Sequence, residues 1–244
     1  VWGCGDNREG QLGDGTNTKR STPVQVSGLS GITAISAGES HCLFLKKDSS
    51  VWACGSNIYG GLGDGTHIKR NTPDQVGGLS GITAIAAGSF YSLFLKKDSS
   101  VWACGSNGSG ELGVVDGTNT NSLAPLQVSG LTGILAIAAG DVHSLFLKKD
   151  GSVWACGYNG EGEFDNEAIF NRNTPVRVSG LSGITAIAAG RFHSLFLKKD
   201  KSIWACGSNA KGQLGDGTKI DRDKPVRVSG LTVTTKRSNK TKTK

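Results

Sequence analysis

The stretch VWACGSN stands at residues 51–57 and returns letter for letter at 101–107. Near-copies occupy 1–7 (VWGCGDN), 153–159 (VWACGYN) and 203–209 (IWACGSN). A tryptophan and a cysteine repeated together could mark a metal or disulfide site, or one strand laid down five times. Trp2, Trp52, Trp102, Trp154 and Trp204 are spaced 50, 50, 52 and 50 residues apart. A fixed period of that size signals a repeat architecture. In the unit beginning at 51, four apolar segments follow one another: 51–55, 73–79, 82–88 and 91–97. Each is strand-sized and bounded by Gly, Asp, Asn, Ser or Pro. Nowhere do apolar residues recur at helical spacing over the ~10–12 residues a helix needs. The chain reads as all-β, and four antiparallel strands in each repeat make a β-propeller blade.

The joints agree. SLFLKKDGSVWACG (144–157) joins two apolar runs through Asp150-Gly151, a pair suited to positive backbone dihedrals in a tight hairpin. Two sibling units carry Asp-Ser there, at 48–49 and 98–99. The Gly-rich stretch 59–73 is a longer connection ending in a proline, which suits an edge strand. ITAIAAG recurs with small changes at 32–38, 82–88, 134–140 and 184–190. Its small residues place it as the crowded inner strand near the propeller axis.

Alternation answers the cysteine question. In VWACG, Trp52 and Cys54 share one face, and Val51, Ala53 and Gly55 share the other. Stacked blades bury both faces, so each indole is expected to cover the small-residue face of its neighbour, burying ~150–250 Å². Zinc sites need close cysteine pairs, and no two here are nearer in sequence than Cys42 and Cys54. The cysteines read as structural thiols, with no metal site and no cofactor expected. Six unpaired thiols favour a reducing compartment, cytoplasm or nucleus.

Composition bounds the function. The chain has 244 residues, 36% of them hydrophobic, and no apolar run near the ~18 residues of a transmembrane helix; no membrane partner is expected. Residue 1 is Val and Met is absent, so the natural translation start is expected to lie outside this sequence. Net charge is +7, with five bases in the acid-free stretch 232–244. That stretch reads as a basic, disordered tail following propeller repeats over 1–231. The body is then nearly neutral, without the dense basic face of a nucleic-acid binder. A contact with nucleic acid or chromatin rests on the tail alone.

Local motifs add no catalyst. GSGELG (108–113) fits a dinucleotide fingerprint in letters, but no helix start follows it. His41, His143 and His193 share one repeat position, where the fourth sibling has Tyr91. Equivalent histidines suggest a repeated hydrogen-bonding device rather than one asymmetric catalytic constellation. No catalytic residue is assigned, and the protein is not expected to be an enzyme.

The repeats differ at two loop sites that a four-stranded meander brings to one end of the blade. The first follows the inner-strand glycine: Glu39-Ser40, Ser89-Phe90, Asp141-Val142 and Arg191-Phe192. The second follows the asparagine: Arg8-Glu9, Ile58-Tyr59, Gly108-Ser109, Gly160-Glu161 and Ala210-Lys211. Mixed aromatic and charged groups are what protein-binding sites use. The candidate partner-binding set is Arg8, Glu9, Ile58, Tyr59, Phe90, Tyr91, Arg191, Phe192 and Lys211. Phe164 and Phe170 join it from the fourth unit, whose loop 162–175 loses the Leu-Gly-Asp-Gly-Thr of its siblings. With Ile169 they are expected either to anchor a partner or to repack locally.

HSLFLKKDGSVWACGYNGEGE, VWGCGDNREGQLGDGTNTKRSTPVQV and the run Gly-x-Asn-x-x-Gly-Gln-Leu-Gly (5–13 and 207–215) resemble the regulator of chromosome condensation repeat family over residues 1–231. Kelch repeats would need a recurring double glycine, and WD-type blades need Gly-His and Trp-Asp pairs. The resemblance implies a propeller, typically of seven blades. This chain supplies four complete blades and an N-terminal half-blade, and is expected to be a fragment of a larger ring or a protomer needing a partner. The family's activities include nucleotide exchange on the small GTPase Ran with chromatin docking, adaptor roles, inhibition of secreted enzymes and ultraviolet sensing. The Gly-Trp-Arg-His-Thr motifs of the photoreceptor branch are missing. An exchange factor usually carries an inserted wedge, and the one insertion here is two residues near Val114-Val115. The expected function is a non-enzymatic protein-interaction propeller or scaffold; the alternative is a guanine-nucleotide exchange factor for a Ran-type GTPase.

Overall fold

The computed structural model describes residues 1–114, 119–164 and 170–231. The tail, Val115 and Ile169 lie outside the described residues. The first two strands, β1 (Trp2–Gly5) and β2 (Arg20–Gln25), form a two-stranded sheet. Four meanders follow. The first is β3 (Ile32–Ala37), β4 (His41–Lys46), β5 (Val51–Gly55) and β6 (Arg70–Gln75). The second is β7 (Ile82–Ala87), β8 (Tyr91–Lys96), β9 (Val101–Gly105) and β10 (Ser122–Gln127). The third is β11 (Ile134–Ala139), β12 (His143–Lys148), β13 (Val153–Gly157) and β14 (Arg172–Arg177). The fourth is β15 (Ile184–Ala189), β16 (His193–Lys198), β17 (Ile203–Gly207) and β18 (Arg222–Arg227). Every pairing is antiparallel, so these are propeller blades, four complete and one half. Each sequence repeat straddles two blades, closing one and opening the next.

The inner strands β3, β7, β11 and β15 contact one another in turn. Their small residues are required there. A Cβ on Gly38 would lie 2.1 Å from the Gly88 carbonyl, and one on Gly88 would lie 2.7 Å from that of Gly140. The prolines sit in the outermost strands, where no ladder donor is lost.

Blades join as the alternation required. Trp102, Phe94 and Cys104 pack on Leu43, Leu45, Val51 and Ala53 of the preceding blade. Trp154, Phe146 and Cys156 do the same on the second blade, and Trp204, Phe196 and Cys206 on the third. The receiving face is branched rather than small, and the indoles stay half-buried, each with a lysine ammonium 4.8–5.3 Å from its ring. Trp2, on the half-blade, has no such neighbour and is 66% exposed.

All six thiols are free, and four are buried. Burial pushes the Cys42 thiol up to about 11, and Cys54, Cys104, Cys156 and Cys206 higher still. Cys42 and Cys54 are cross-strand partners on one face, a proximity their separation in sequence conceals.

The Asp-Gly turn differs from the expected tight link. Only Gly151 has a positive φ (80°), and its N–H closes on the Lys148 carbonyl. Ser49, Ser99 and Lys201 take the same conformation in the siblings at φ 64–69°, an uncommon one for such residues.

Candidate functional site: the loop face

In every blade the turn after the inner strand and the long loop after the third strand lie at one end, stitched together by main-chain bonds. Ser106 N–H donates to Phe90 O, Tyr158 to Val142 O and Ser208 to Phe192 O, at 2.8–3.0 Å. The first, second and last long loops are each wound around a buried asparagine, Asn7, Asn57 and Asn209. Asn57 Nδ2 donates to Asp64 Oδ1 and Thr66 O at 2.9 Å and to Ile68 O at 3.3 Å, while its Oδ1 accepts Leu62 N–H at 3.0 Å. Asn7 and Asn209 repeat this pattern. Arg20, Arg70 and Arg222 each clamp the loop aspartate at 2.7 Å. Burial raises the Asp14 carboxyl, but hydrogen bonds from Thr16, Arg20 and Asn7 outweigh it and hold the group at about 2.

The variable residues ride on this frame and meet across blade joints. Tyr59 of the first blade's loop stands edge-on to Phe90 of the second blade's turn, ring centroids 5.3 Å apart, with Ile58 60% exposed beside it. Tyr158 of the third blade's loop meets Phe192 of the fourth at 5.8 Å. Arg191 lies over the Phe192 ring at 5.2 Å and pairs with Asp141 of the third blade at 2.9 Å, yet remains exposed. Near the axis, Gly38, Gly88, Gly140 and Gly190 with Glu39, Asp141 and Arg191 line an open mouth of about 470 Å³.

Other candidates are spread out. Arg8 is exposed and paired with Asp6 at 2.9 Å, while Glu9 bridges to Lys69 at 3.4 Å. Lys211 is exposed on the last long loop, and Phe170 is 72% exposed. Two candidates are corrected. Tyr91 is fully buried: its hydroxyl donates to the His143 carbonyl at 2.5 Å and accepts from Ser144 Oγ at 3.2 Å, tying the second blade to the third. Phe164 is also fully buried, standing where the siblings have the core leucine, its N–H on Asn159 Oδ1 and its ring over His143 at 6.3 Å. The lost loop motif hid a retained core position.

Tyr158 is the residue sequence reasoning missed. The signal was present: siblings 6, 56, 106 and 208 are Asp or Ser. Its arrival also unpartners Glu163. In the second blade Ser106 Oγ donates to Glu111 at 2.7 Å, but Glu163 of the third has no such donor, and its buried Oε1 is unpaired. Burial first, with Glu161 and Asp221 adding, raises the Glu163 carboxyl to about 8.

The equivalent histidines bridge blades. His41 Nε2 meets Ser92 Oγ, and His143 Nε2 meets Ser194 Oγ, each at 3.0 Å. Burial holds His41 down at about 4 and His143 at about 3. Among the described residues no three His, Cys, Asp or Glu side chains converge as metal ligands.

A β-propeller of four-stranded blades, with its variable residues gathered on the loops at one end, defines the class. The RCC1-like domain model matches residues 1–242, and the chain belongs to that family. Solved structures agree in fold. Yeast RCC1 (Prp20) bound to Kap60 aligns with a TM-score of 0.80 at 23% identity, over 89% of this chain and 53% of that one. Human WBSCR16 aligns with a TM-score of 0.84 at 22% identity, over 94% and 62%. Prp20p from Saccharomyces cerevisiae, described with its binding to Gsp1p and histones, aligns with a TM-score of 0.76 at 24% identity, over 86% and 53%. The chain thus spans between half and two thirds of these relatives' length. No curated protein matches the sequence.

Proposed function

We propose that this chain is a non-enzymatic interaction module that binds a protein partner through the loop face. One observation carries the reading: the Tyr59–Phe90 and Tyr158–Phe192–Arg191 clusters bridge blade joints on hydrogen-bonded loops. Aromatics and arginine on a rigid frame are the groups that dominate protein-binding energy, because they present large area at small conformational cost. Asp141 holds Arg191 in place, ready to meet a carboxylate. The partner expected here has an apolar anchor for the Ile58–Tyr59–Phe90 patch and an acidic group for Arg191.

A second reading, guanine-nucleotide exchange on a Ran-type small GTPase, is favoured by kinship with the yeast protein whose structure is described with Gsp1p. The two readings separate in one assay. A Ran-type GTPase loaded with fluorescent GDP is mixed with the chain, and binding and release are followed together. Binding without accelerated release supports the module; catalysed release supports exchange and overturns the first reading. Against any partner so identified, Tyr59→Ala and Arg191→Ala should each weaken binding at least tenfold with unchanged thermal unfolding. Unaltered affinity in both would place the interface elsewhere.

A further inference from the structure

The opposite end of the propeller is built differently. There the link from second to third strand has the same length in every blade: residues 47–50, 97–100, 149–152 and 199–202. Each is closed by the same pair of main-chain bonds, such as Lys96 N–H to Ser100 O and Ser99 N–H to Lys96 O, both 2.9 Å. Each carries the same lysine pair: 46–47, 96–97, 148–149 and 198–199. The first lysine of a pair is stacked on its tryptophan; the second is exposed. Lys201, Arg177 and Arg227 lie at the same end, and both arginines are cross-strand partners of tryptophans.

Eleven bases therefore face four acids at this end, Asp48, Asp98, Asp150 and Asp200. Each of these aspartates is spent inside its turn, accepting from the N–H and hydroxyl of the serine two residues on at 2.6–3.0 Å. The end carries a formal +7, while the whole chain outside the tail carries only +2 (the total of +7 less the five tail bases), leaving about −5 for the rest. Near-neutrality of the body hides a strong separation of charge along the propeller axis.

We infer that this end adsorbs to an anionic phospholipid surface, with the lysine turns as the contact. Identical turns on an axially ordered set of blades end at one height, so they form a plane, and a plane of headgroups meets all four at once. A nucleic-acid duplex, being a cylinder, would meet fewer. The tips carry lysine rather than arginine and offer no aromatic to stack on a base, and the indole N–H groups of Trp102 and Trp204 are held by Ser100 and Ser202. No apolar side chain stands at residues 47–50 or their equivalents, so the contact is electrostatic and needs no membrane span. The expectation of no membrane partner came from the lack of a span, which does not bear on surface adsorption. The acidic remainder would be repelled, turning the loop face outward. The inference is independent of the partner bound there.

The test is sedimentation of the full chain with phosphatidylcholine vesicles containing or lacking 30 mol% phosphatidylserine. Each surface lysine contributes about fivefold in partitioning. Lys97→Gln should cost about fivefold, and Lys47→Glu, Lys97→Glu, Lys149→Glu and Lys199→Glu combined more than a hundredfold, with thermal unfolding checked for each. A tail variant with Lys236, Arg237, Lys240, Lys242 and Lys244 changed to Ser should retain lysine-dependent binding. Binding that survives the single and combined lysine changes, or vanishes with the tail alone, overturns the inference. So does tighter, lysine-dependent binding to a DNA duplex at equal salt, which would reassign the end to nucleic acid.

Discussion

At the residue scale, the loop face depends on a side chain that touches no partner. Asn57 is buried, and its hydrogen bonds to Leu62, Asp64, Thr66 and Ile68 close a 14-residue connection between β5 and β6. Asn57→Ala should destabilise the protein by about 2–4 kcal/mol, since it strands the Leu62 N–H and several loop acceptors. Asn57→Asp should not rescue it, because the new carboxylate would face Asp64 Oδ1 where a donor stood. Urea unfolding of both variants checks this, and wild-type stability in either would show the loop to be held by other contacts. The repeated Gly-x-Asn was legible as a motif. That its asparagine is a hub was not, because the bonds reach residues 5 to 11 positions away through a path set only by the folded loop.

At the element scale, two glycines of the second repeat do different jobs. Gly88 needs no unusual backbone, but a Cβ there would lie 2.0 Å from the Tyr91 ring and 2.7 Å from the Gly140 carbonyl. Gly65 has open space around it and a φ of +80°. Gly88→Ala should cost at least about 3 kcal/mol by overpacking the inner strands, and Gly65→Ala only about 1–2 kcal/mol through left-handed backbone. Equal losses of thermal stability would contradict this division. Strand identity, inner position and the alternating Trp/Cys face were all readable from periodicity and size. Tyr91 and Phe164 were misplaced for the same reason as each other: both belong to positions whose side chains point inward, and inwardness at a strand's first residue or a loop's core position is not a property of composition.

At the scale of the whole molecule, protonation opposes itself across blades. His41 and His143 are buried neutral, with folded values of about 4 and about 3 against 6.5. Their contribution is complete above pH 6.5 and is lost as pH falls below it. Glu163 has a folded value of about 8 against 4.5, so the native state holds a proton the unfolded chain has released. Its contribution is complete below 4.5 and declines as pH rises toward 8. Between 6.5 and 8 only the glutamate of these three titrates, and wild-type stability should fall there by at most about 2 kcal/mol. Glu163→Gln should flatten that limb and leave the acid limb intact. Chemical denaturation at pH 6.5 and 8.0 checks it; a slope that persists in Glu163→Gln would assign it to another group.

By itself the sequence determined the all-β class, the blade period, the inner strand and the ends from which variable residues project. These follow from local alternation, residue size and turn chemistry, which act over a few residues. The tertiary structure alone decided which variable residues meet. Tyr59 with Phe90 and Arg191 with Asp141 are contacts between blades. They depend on how neighbouring sheets are rotated and spaced about an axis, and no single repeat carries that geometry.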